Sequence, residues 1–267
     1  FGLDINGDYN RHSSFNDTSA VADDLASGVK TIYSTSGAFA ALKDDGSVVT
    51  WGHAGAGGGG SSGYKSSFYK DEELIQDLSG NVVEIFSNSF AFAALKDDGS
   101  VVTWGAFGLD INGDYNRHSS FNDTSAVADD LASGVKTIYS TSGAFAALKD
   151  DGSVVTWGHA GAGGGGSSGH IGYYQYNDEE LIQDLSGNVV EIFSNSFAFA
   201  ALKDDGSVVT WGAFGLDING DYNRHSSFND TSAVADDLAS GVKTISNNRD
   251  NNSEYLVVNA DEGKKIR

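Results

Sequence analysis

Three stretches of this chain read DINGDYN, and in each the oxygen-bearing side chains fall on alternate positions: Asp4, Asn6, Asp8 and Asn10; Asp110, Asn112, Asp114 and Asn116; Asp217, Asn219, Asp221 and Asn223. Carboxylate and amide oxygens at every second residue, with a Gly for a sharp bend, are how a short loop wraps a hard cation such as Ca2+. The stretch departs from an EF-hand loop, because the Gly precedes the third ligand and position 12 holds Phe15 where a bidentate Glu would stand. The same residues also favour Asx turns, in which the side chain bonds its own backbone. Two readings follow, a Ca2+ loop with Asp4, Asn6 and Asp8 and their repeats as ligands, or a set of polar turns.

A second chemistry is carried by the two places where the sequence varies. Phe1 to Gly63 recurs unchanged as Phe107 to Gly169, and Asp71 to Ile138 recurs as Asp178 to Ile245. Between these copies lie YKSSFYK at 64–70 and HIGYYQYN at 170–177, which share almost nothing. Tyr64, Phe68, Tyr69, Tyr173, Tyr174 and Tyr176 are interspersed with small, polar or basic residues such as Lys65 and His170. Tyrosine among small polar residues is the composition of adaptable binding loops, since it brings contact area at low entropic cost. These eight residues are therefore the candidate ligand-binding set. Drift in a surface loop is the rival reading.

Other motifs carry less. GAGGGG at 55–60 satisfies G-x-G-x-x-G, but no helix follows at once and no Lys-Ser or Lys-Thr closes a P-loop, so it reads as a flexible spacer. Asp44 and Asp45 recur as a pair in every full repeat at a hairpin tip. Catalytic carboxylates need unequal environments to separate acid from base, which identical repeats oppose. The six histidines, His12, His53, His118, His159, His170 and His225, show no local zinc spacing. A chemically unique pocket would have to come from the last repeat, with Arg249, Asp250 and Glu254, and an enzyme is the least favoured class. Asn16, Asn122, Asn229 and Asn251 head sequons that matter only in a eukaryotic secretory pathway.

The elements that must hold these segments are repeats. Units begin at Val29, Val82, Val135, Val189 and Val242, and the fifth is degenerate. Within a unit, VKTI, AFAALK and SVVTW are short, β-branched or aromatic, and bounded by turn residues, which predicts three strands. Asp-Asp-Gly joins the second and third, with Gly taking the positive φ of a tight hairpin. In SVVTW, Val49 and Trp51 point one way and Val48 and Thr50 the other; in AFAALK, Phe39 opposes Ala38, Ala40 and Leu42. Apolar atoms on both faces, many of them small, predict sheets stacked on copies of themselves, as in a propeller. A helical turn, SAVADDL or DEELIQDL, precedes each unit and is stopped by the Gly of SGV or SGN.

The repeat A-L-x-x-D-G-x-V-x-x-W-G, at Ala41 to Gly52, Ala94 to Gly105, Ala147 to Gly158 and Ala201 to Gly212, resembles that of the regulator of chromosome condensation family. The resemblance implies a β-propeller, usually of seven blades, that engages partners through loops on its rims. Five units fall short of seven, and HAGAGGGG or AFGLDING replaces the Gly-Gln-Leu-Gly that often follows Trp-Gly in that family. Long, acidic, repetitive versions of such repeats resemble bacterial surface proteins.

Composition sets the outer limits. With 267 residues, the chain can bury a large core, and with no Cys it has no disulfide framework and no thiolate metal site. A net charge of -21 opposes binding to a phosphate backbone and suits salty surroundings or a cation ligand. AFAAL, the longest apolar run, falls far short of the roughly 20 residues that span a bilayer. The absent initiator Met and the missing signal peptide mark a processed product, a fragment or a segment of a longer array.

The expectation is thus an all-β repeat propeller of about five blades, one domain over 1–267, with 1–28 closing the ring or continuing an array. Functionally it is a non-enzymatic secreted or cell-surface scaffold, with Ca2+ as its candidate ion, that binds protein or glycan through the variable loops or self-assembles. The alternatives are a carbohydrate-binding lectin and a filament-forming structural protein. Neither nucleic acid nor membrane insertion is expected.

Overall fold

The computed structural model describes residues 2–3, 9–10, 18–58, 76–105, 108–109, 115–116, 124, 126–165, 183–212, 215–216, 222–223, 235–248, 254–259 and 265–266. Among them the dominant element is the three-stranded antiparallel sheet, which occurs five times. Sheet 1 is Val29–Ser34, Ala38–Lys43 and Val48–Gly52, and sheet 2 is Val82–Ser87, Ala91–Lys96 and Val101–Gly105. Sheet 3 is Val135–Ser140, Ala144–Lys149 and Val154–Gly158, and sheet 4 is Val189–Ser194, Ala198–Lys203 and Val208–Gly212. Sheet 5 is Val242–Asn248, Glu254–Asn259 and Lys265–Ile266. The all-β repeat class expected from the sequence is the class observed. The chain divides into two compact units, 1–122 with sheets 1 and 2, and 123–267 with sheets 3, 4 and 5.

Each hairpin is built by the Asp-Asp-Gly tip. In sheet 1, Gly46 N donates to Lys43 O at 3.0 Å and Lys43 N to Ser47 O at 2.9 Å, a three-residue loop that ends on Gly46 at φ 79°. Asp45 Oδ1 then accepts from Ser47 N at 2.9 Å and from Ser47 Oγ at 2.6 Å. The tip also packs: a Cβ on Gly46 would lie 2.9 Å from Asn81 N.

Alternation along the strands sets the core. In the first unit, Ala38, Ala40, Leu42 and Val48 of sheet 1 form one cluster with Ile85, Phe92, Ala94 and Trp104 of sheet 2. In the second, Ala144, Ala146, Leu148 and Val154 of sheet 3 meet Ile192, Phe199, Ala201 and Trp211 of sheet 4. Ala200 and Leu202 of sheet 4 then meet Val242 and Ile245 of sheet 5. In each of these three contacts the earlier sheet offers a forward face of Ala and Leu to a backward face that carries Ile, joined in sheets 2 and 4 by Phe and Trp. Within a sheet, the Phe and Trp on that backward face are register partners and stack, with ring centroids 5.2 Å apart for Phe39 and Trp51 and 5.1 Å for Phe92 and Trp104.

Short helices at Ala22–Leu25 and Ala235–Leu238 precede sheets 1 and 5, as the sequence predicts. A lysine of the second strand caps the turn that precedes its sheet: Lys43 Nζ donates to Asp24 O at 2.8 Å before sheet 1, and Lys149 Nζ to Asp130 O at 2.6 Å before sheet 3. One local expectation is corrected. Gly28, Gly134 and Gly241 take the left-handed conformation after SAVADDL, but after DEELIQDL it falls on Asn81 and Asn188, at φ 63° and 65°, and not on Gly80 or Gly187. Asn tolerates this region because its short side chain can bond locally.

Candidate functional site

The chain that leads to each variable segment leaves from the Trp-Gly that ends a sheet, so the site is built from that end. In the first unit, His53 N donates to Gly37 O at 2.8 Å, which ties the outgoing chain to the turn between the first two strands. The chain then makes a single helical turn at Ala54–Ala56, with Ala56 N and Gly58 N both donating to His53 O at 3.0 Å. Two donors arriving from different sheets seize the next two carbonyls. Thr35 Oγ1, in sheet 1's own turn, bonds Ala56 O at 3.0 Å, and Trp104 Nε1, in sheet 2, bonds Gly57 O at 3.1 Å.

The glycines here are structural, which corrects their reading as a flexible spacer. Gly57 sits at φ 101°, and a Cβ added there would lie 2.6 Å from the Phe92 ring. At Gly58 the Cβ would lie 2.4 Å from the carbonyl carbon of Gly52. Contacts that short exclude any side chain, so close backbone approach explains this half of the run. Gly59 and Gly60 lie outside the described residues.

The return of the segment is held as firmly. Ser79 bonds Gln76 O through both N and Oγ, at 3.1 and 2.6 Å, and Val48 N donates to Leu78 O at 2.9 Å. The Leu78 side chain is buried in the core between sheets 1 and 2. Lys96 Nζ caps Asp77 O at 3.3 Å.

The second unit repeats the device. Thr141 Oγ1 bonds Ala162 O at 3.0 Å, Trp211 Nε1 bonds Gly163 O at 3.1 Å, and His159 N bonds Gly143 O at 2.9 Å. Val154 N donates to Leu185 O at 2.9 Å, and a Cβ on Gly163 would lie 2.6 Å from the Phe199 ring. In both repeats the chain is therefore held alike at 56–58 and 162–164, ahead of the variable segment, and at 76–79 and 183–186, after it.

Adjoining turns add features the sequence reading passed over. Ser36 N donates to Ser89 O and Ser142 N to Ser196 O, each at 2.9 Å, so neighbouring turns are joined within each unit. Where the odd repeats have Gly37 and Gly143, the even repeats have Phe90 and Phe197, exposed by 42% and 45% beside the Trp-Gly end. The Gly-to-Phe exchange between otherwise similar repeats was the available signal; SNSF reads as the start of a strand, which hides it. Asn88 and Asn195 replace the threonines, with Oδ1 accepting from the N of Phe90 and Phe197 at 2.8 Å. Among the described residues, two polar atoms are buried without a partner, Asn88 Nδ2 and Trp157 Nε1.

The electrostatics are those of turns. Hydrogen bonds from the Ser47 side chain and backbone hold the Asp45 carboxyl below its usual 3.8, and Ser100, Ser153 and Ser207 do the same for Asp98, Asp151 and Asp205. A carboxylate so held is a poor proton donor at neutral pH. Desolvation lowers the His159 imidazole from 6.5, and it raises the Tyr139 hydroxyl from 10.0 against an opposing hydrogen bond with the Ile192 backbone. Among the described residues no three His, Cys, Asp or Glu side chains converge on a cation, and no helix is long and apolar enough to cross a membrane.

The sequence-predicted ligand set, Tyr64, Lys65, Phe68, Tyr69, His170, Tyr173, Tyr174 and Tyr176, lies outside the described residues, as do Asp4, Asn6, Asp8, Asp110, Asn112, Asp114, Asp217, Asn219 and Asp221. What is described of the DINGDYN stretches is the ladder around them, Gly2–Leu3 with Tyr9–Asn10, Gly108–Leu109 with Tyr115–Asn116, and Gly215–Leu216 with Tyr222–Asn223.

No protein-family profile and no curated protein matches the sequence. Solved structures do. Prp20p of Saccharomyces cerevisiae, in a study of its binding to Gsp1p and histones, is similar at 17% identity and a TM-score of 0.43, over 77% of this chain and 51% of that one. Yeast RCC1 (Prp20) in complex with Kap60 is similar at 17% identity and a TM-score of 0.44, over 91% of this chain and 56% of that one. Human WBSCR16 follows at 19% identity and a TM-score of 0.40, over 69% and 47%. The chain thus spans about half the length of these three chains. These neighbours are of the repeat β-propeller type that the A-L-x-x-D-G-x-V-x-x-W-G stretches resemble.

Proposed function

We propose that the chain is a non-enzymatic scaffold that binds a protein partner through the two variable aromatic segments, 64–70 and 170–177, displayed on a constant frame. One observation carries the reading. The chain that leads to each segment is held by the same pair of bonds, Thr Oγ1 and Trp Nε1 onto successive carbonyls, at 3.0 and 3.1 Å in both repeats, ahead of two different sequences. Rigid ends reduce the entropy a loop loses when it binds, which leaves affinity to the residues that differ. Phe90 and Phe197, exposed at the Trp-Gly end of their sheets, add apolar contact area. The setting we propose is extracellular or at a cell surface, where the charge of -21 and the Ca2+ loops are both served.

The test is a phage-displayed peptide library panned against the protein and against a variant in which both segments are replaced by Gly-Ser of equal length. Peptides that hold the parent and lose the variant, with the two proteins melting within about 3 °C of each other, are expected from loops that lie outside the packed core. Peptides that bind both proteins alike would remove the variable segments from the function.

A further inference from the structure

Aspartate followed by glycine is a dipeptide prone to rearrange in water, because glycine leaves the next amide nitrogen unscreened beside the side-chain carboxyl. Four such pairs stand at the hairpin tips, Asp45-Gly46, Asp98-Gly99, Asp151-Gly152 and Asp205-Gly206, each with its aspartate exposed. The rearrangement is a cyclisation. The glycine nitrogen gives up its proton and bonds to Cγ of the aspartate, the carboxyl hydroxyl leaves as water, and a five-membered imide results. Water then reopens the imide at Cγ to restore aspartate, or at the main-chain carbonyl to give isoaspartate, whose backbone is one carbon longer.

Each requirement of that step is opposed at the tips. The attacking nitrogen is occupied, since Gly46 N, Gly99 N, Gly152 N and Gly206 N donate to the carbonyls of Lys43, Lys96, Lys149 and Lys203, all at 3.0 Å. Three of these glycines are also pinned through their own carbonyls: Gly46 O, Gly152 O and Gly206 O accept from Val82 N, Val189 N and Val242 N of the following sheet at 3.0, 3.0 and 2.9 Å. The carboxyl is held as well. Asp45 Oδ1 accepts from Ser47 N at 2.9 Å and from Ser47 Oγ at 2.6 Å, and the other three tips repeat both bonds at 2.8–2.9 and 2.6 Å. Those bonds favour the carboxylate, whereas water can leave only from the protonated acid. We propose that the serine after each Asp-Gly pair, Ser47, Ser100, Ser153 and Ser207, is a chemical guard that keeps the exposed tips from converting to isoaspartate. The protection belongs to the folded tip and is lost wherever the tip opens. It does not depend on the variable segments binding a partner.

The test ages the full chain at a mildly acidic pH, folded in buffer and unfolded in guanidinium chloride, and follows isoaspartate by electron-transfer mass spectrometry. The tryptic peptide from Asp44 to Lys65 holds one Asp-Gly pair and no Asn, so it reports Asp45 alone. The folded parent is expected to form isoaspartate there at least about a hundredfold more slowly than the unfolded chain, the factor that two hydrogen bonds to a charged group supply. Ser47→Ala, which keeps the backbone donor and removes the hydroxyl, is expected to speed the folded tip about tenfold. Ser47→Thr, which keeps the hydroxyl, is expected to stay as slow as the parent, and melting curves show that all three proteins are folded under the ageing conditions. Two results would overturn the proposal: equal rates in the folded and unfolded parent, which leaves the tips unprotected, or a folded Ser47→Ala tip as slow as the parent, which assigns the protection to the occupied Gly46 nitrogen and takes it from the serine.

Discussion

At the scale of single residues, the glycines divide into those that the backbone requires and those it does not. Gly57→Ala combines a positive φ with a Cβ inside the Phe92 ring, and it is expected to cost about 2–4 kcal/mol in urea denaturation. Gly80→Ala, whose Cβ meets nothing within 4 Å, is expected to fall within about 0.5 kcal/mol of the parent. The tip aspartates make a pH prediction. Their folded pKa values lie below 3.8, so their contribution to stability is fully present above that value and is lost as pH falls through the folded values. Ser47→Ala is expected to return the Asp45 carboxyl toward 3.8, read by carboxyl carbon NMR. His159 follows the same sign for a different reason. Desolvation favours its neutral form, so the stability it lends is present above 6.5 and declines as the pH drops below it.

At the scale of elements, the clamps set apart four chemically identical tryptophans. Trp211→Phe keeps most of the ring but strands the Gly163 carbonyl, whereas Trp157→Phe removes an N–H that was buried without a partner. The first is therefore expected to destabilise by about 1–2 kcal/mol more than the second, compared by denaturant midpoints at equal m-value. The strands and the Asp-Asp-Gly tips were legible in the sequence because local chemistry dictates them: β-branched runs, a period of two, and a Gly where φ must be positive. Gly57 was not, because its need is tertiary: Phe92 and Trp104 reach it from a different sheet, 35 or more positions along the chain, while Gly58 is crowded by the backbone of Gly52 where the chain folds back on itself. Asn81 escaped for the opposite reason, since an adjacent Gly80 offered an easier home for the left-handed turn. Of the candidate site, the variable segments were legible as the place where otherwise identical copies differ, and the structure adds the bonds on the chain that leads to them; the aromatic residues themselves stand as a proposal.

For the whole molecule, charge is the dominant long-range term. A chain with 37 acidic and 16 basic residues repels itself when compact, and salt shortens that repulsion. Thermal midpoints are expected to rise as NaCl is taken from 0.01 to 0.15 M, over which the screening length shrinks from about 30 to about 8 Å. Ca2+ titrated into chelator-stripped protein at constant ionic strength separates this general effect from the DINGDYN loops. About three equivalents bound, with a further rise in midpoint, is the outcome expected of metal loops, and no heat and no shift would return those aspartates to turns. Near-identity of the repeats has a last consequence, for magnetic resonance. Amides in equivalent sheets will nearly coincide, but the indole protons of Trp104 and Trp211 point at carbonyls while that of Trp157 does not, so their chemical shifts must separate. Each of the two bonded indoles is a native gauge of whether the outgoing chain at Gly57 or Gly163 is seated, readable without any added label.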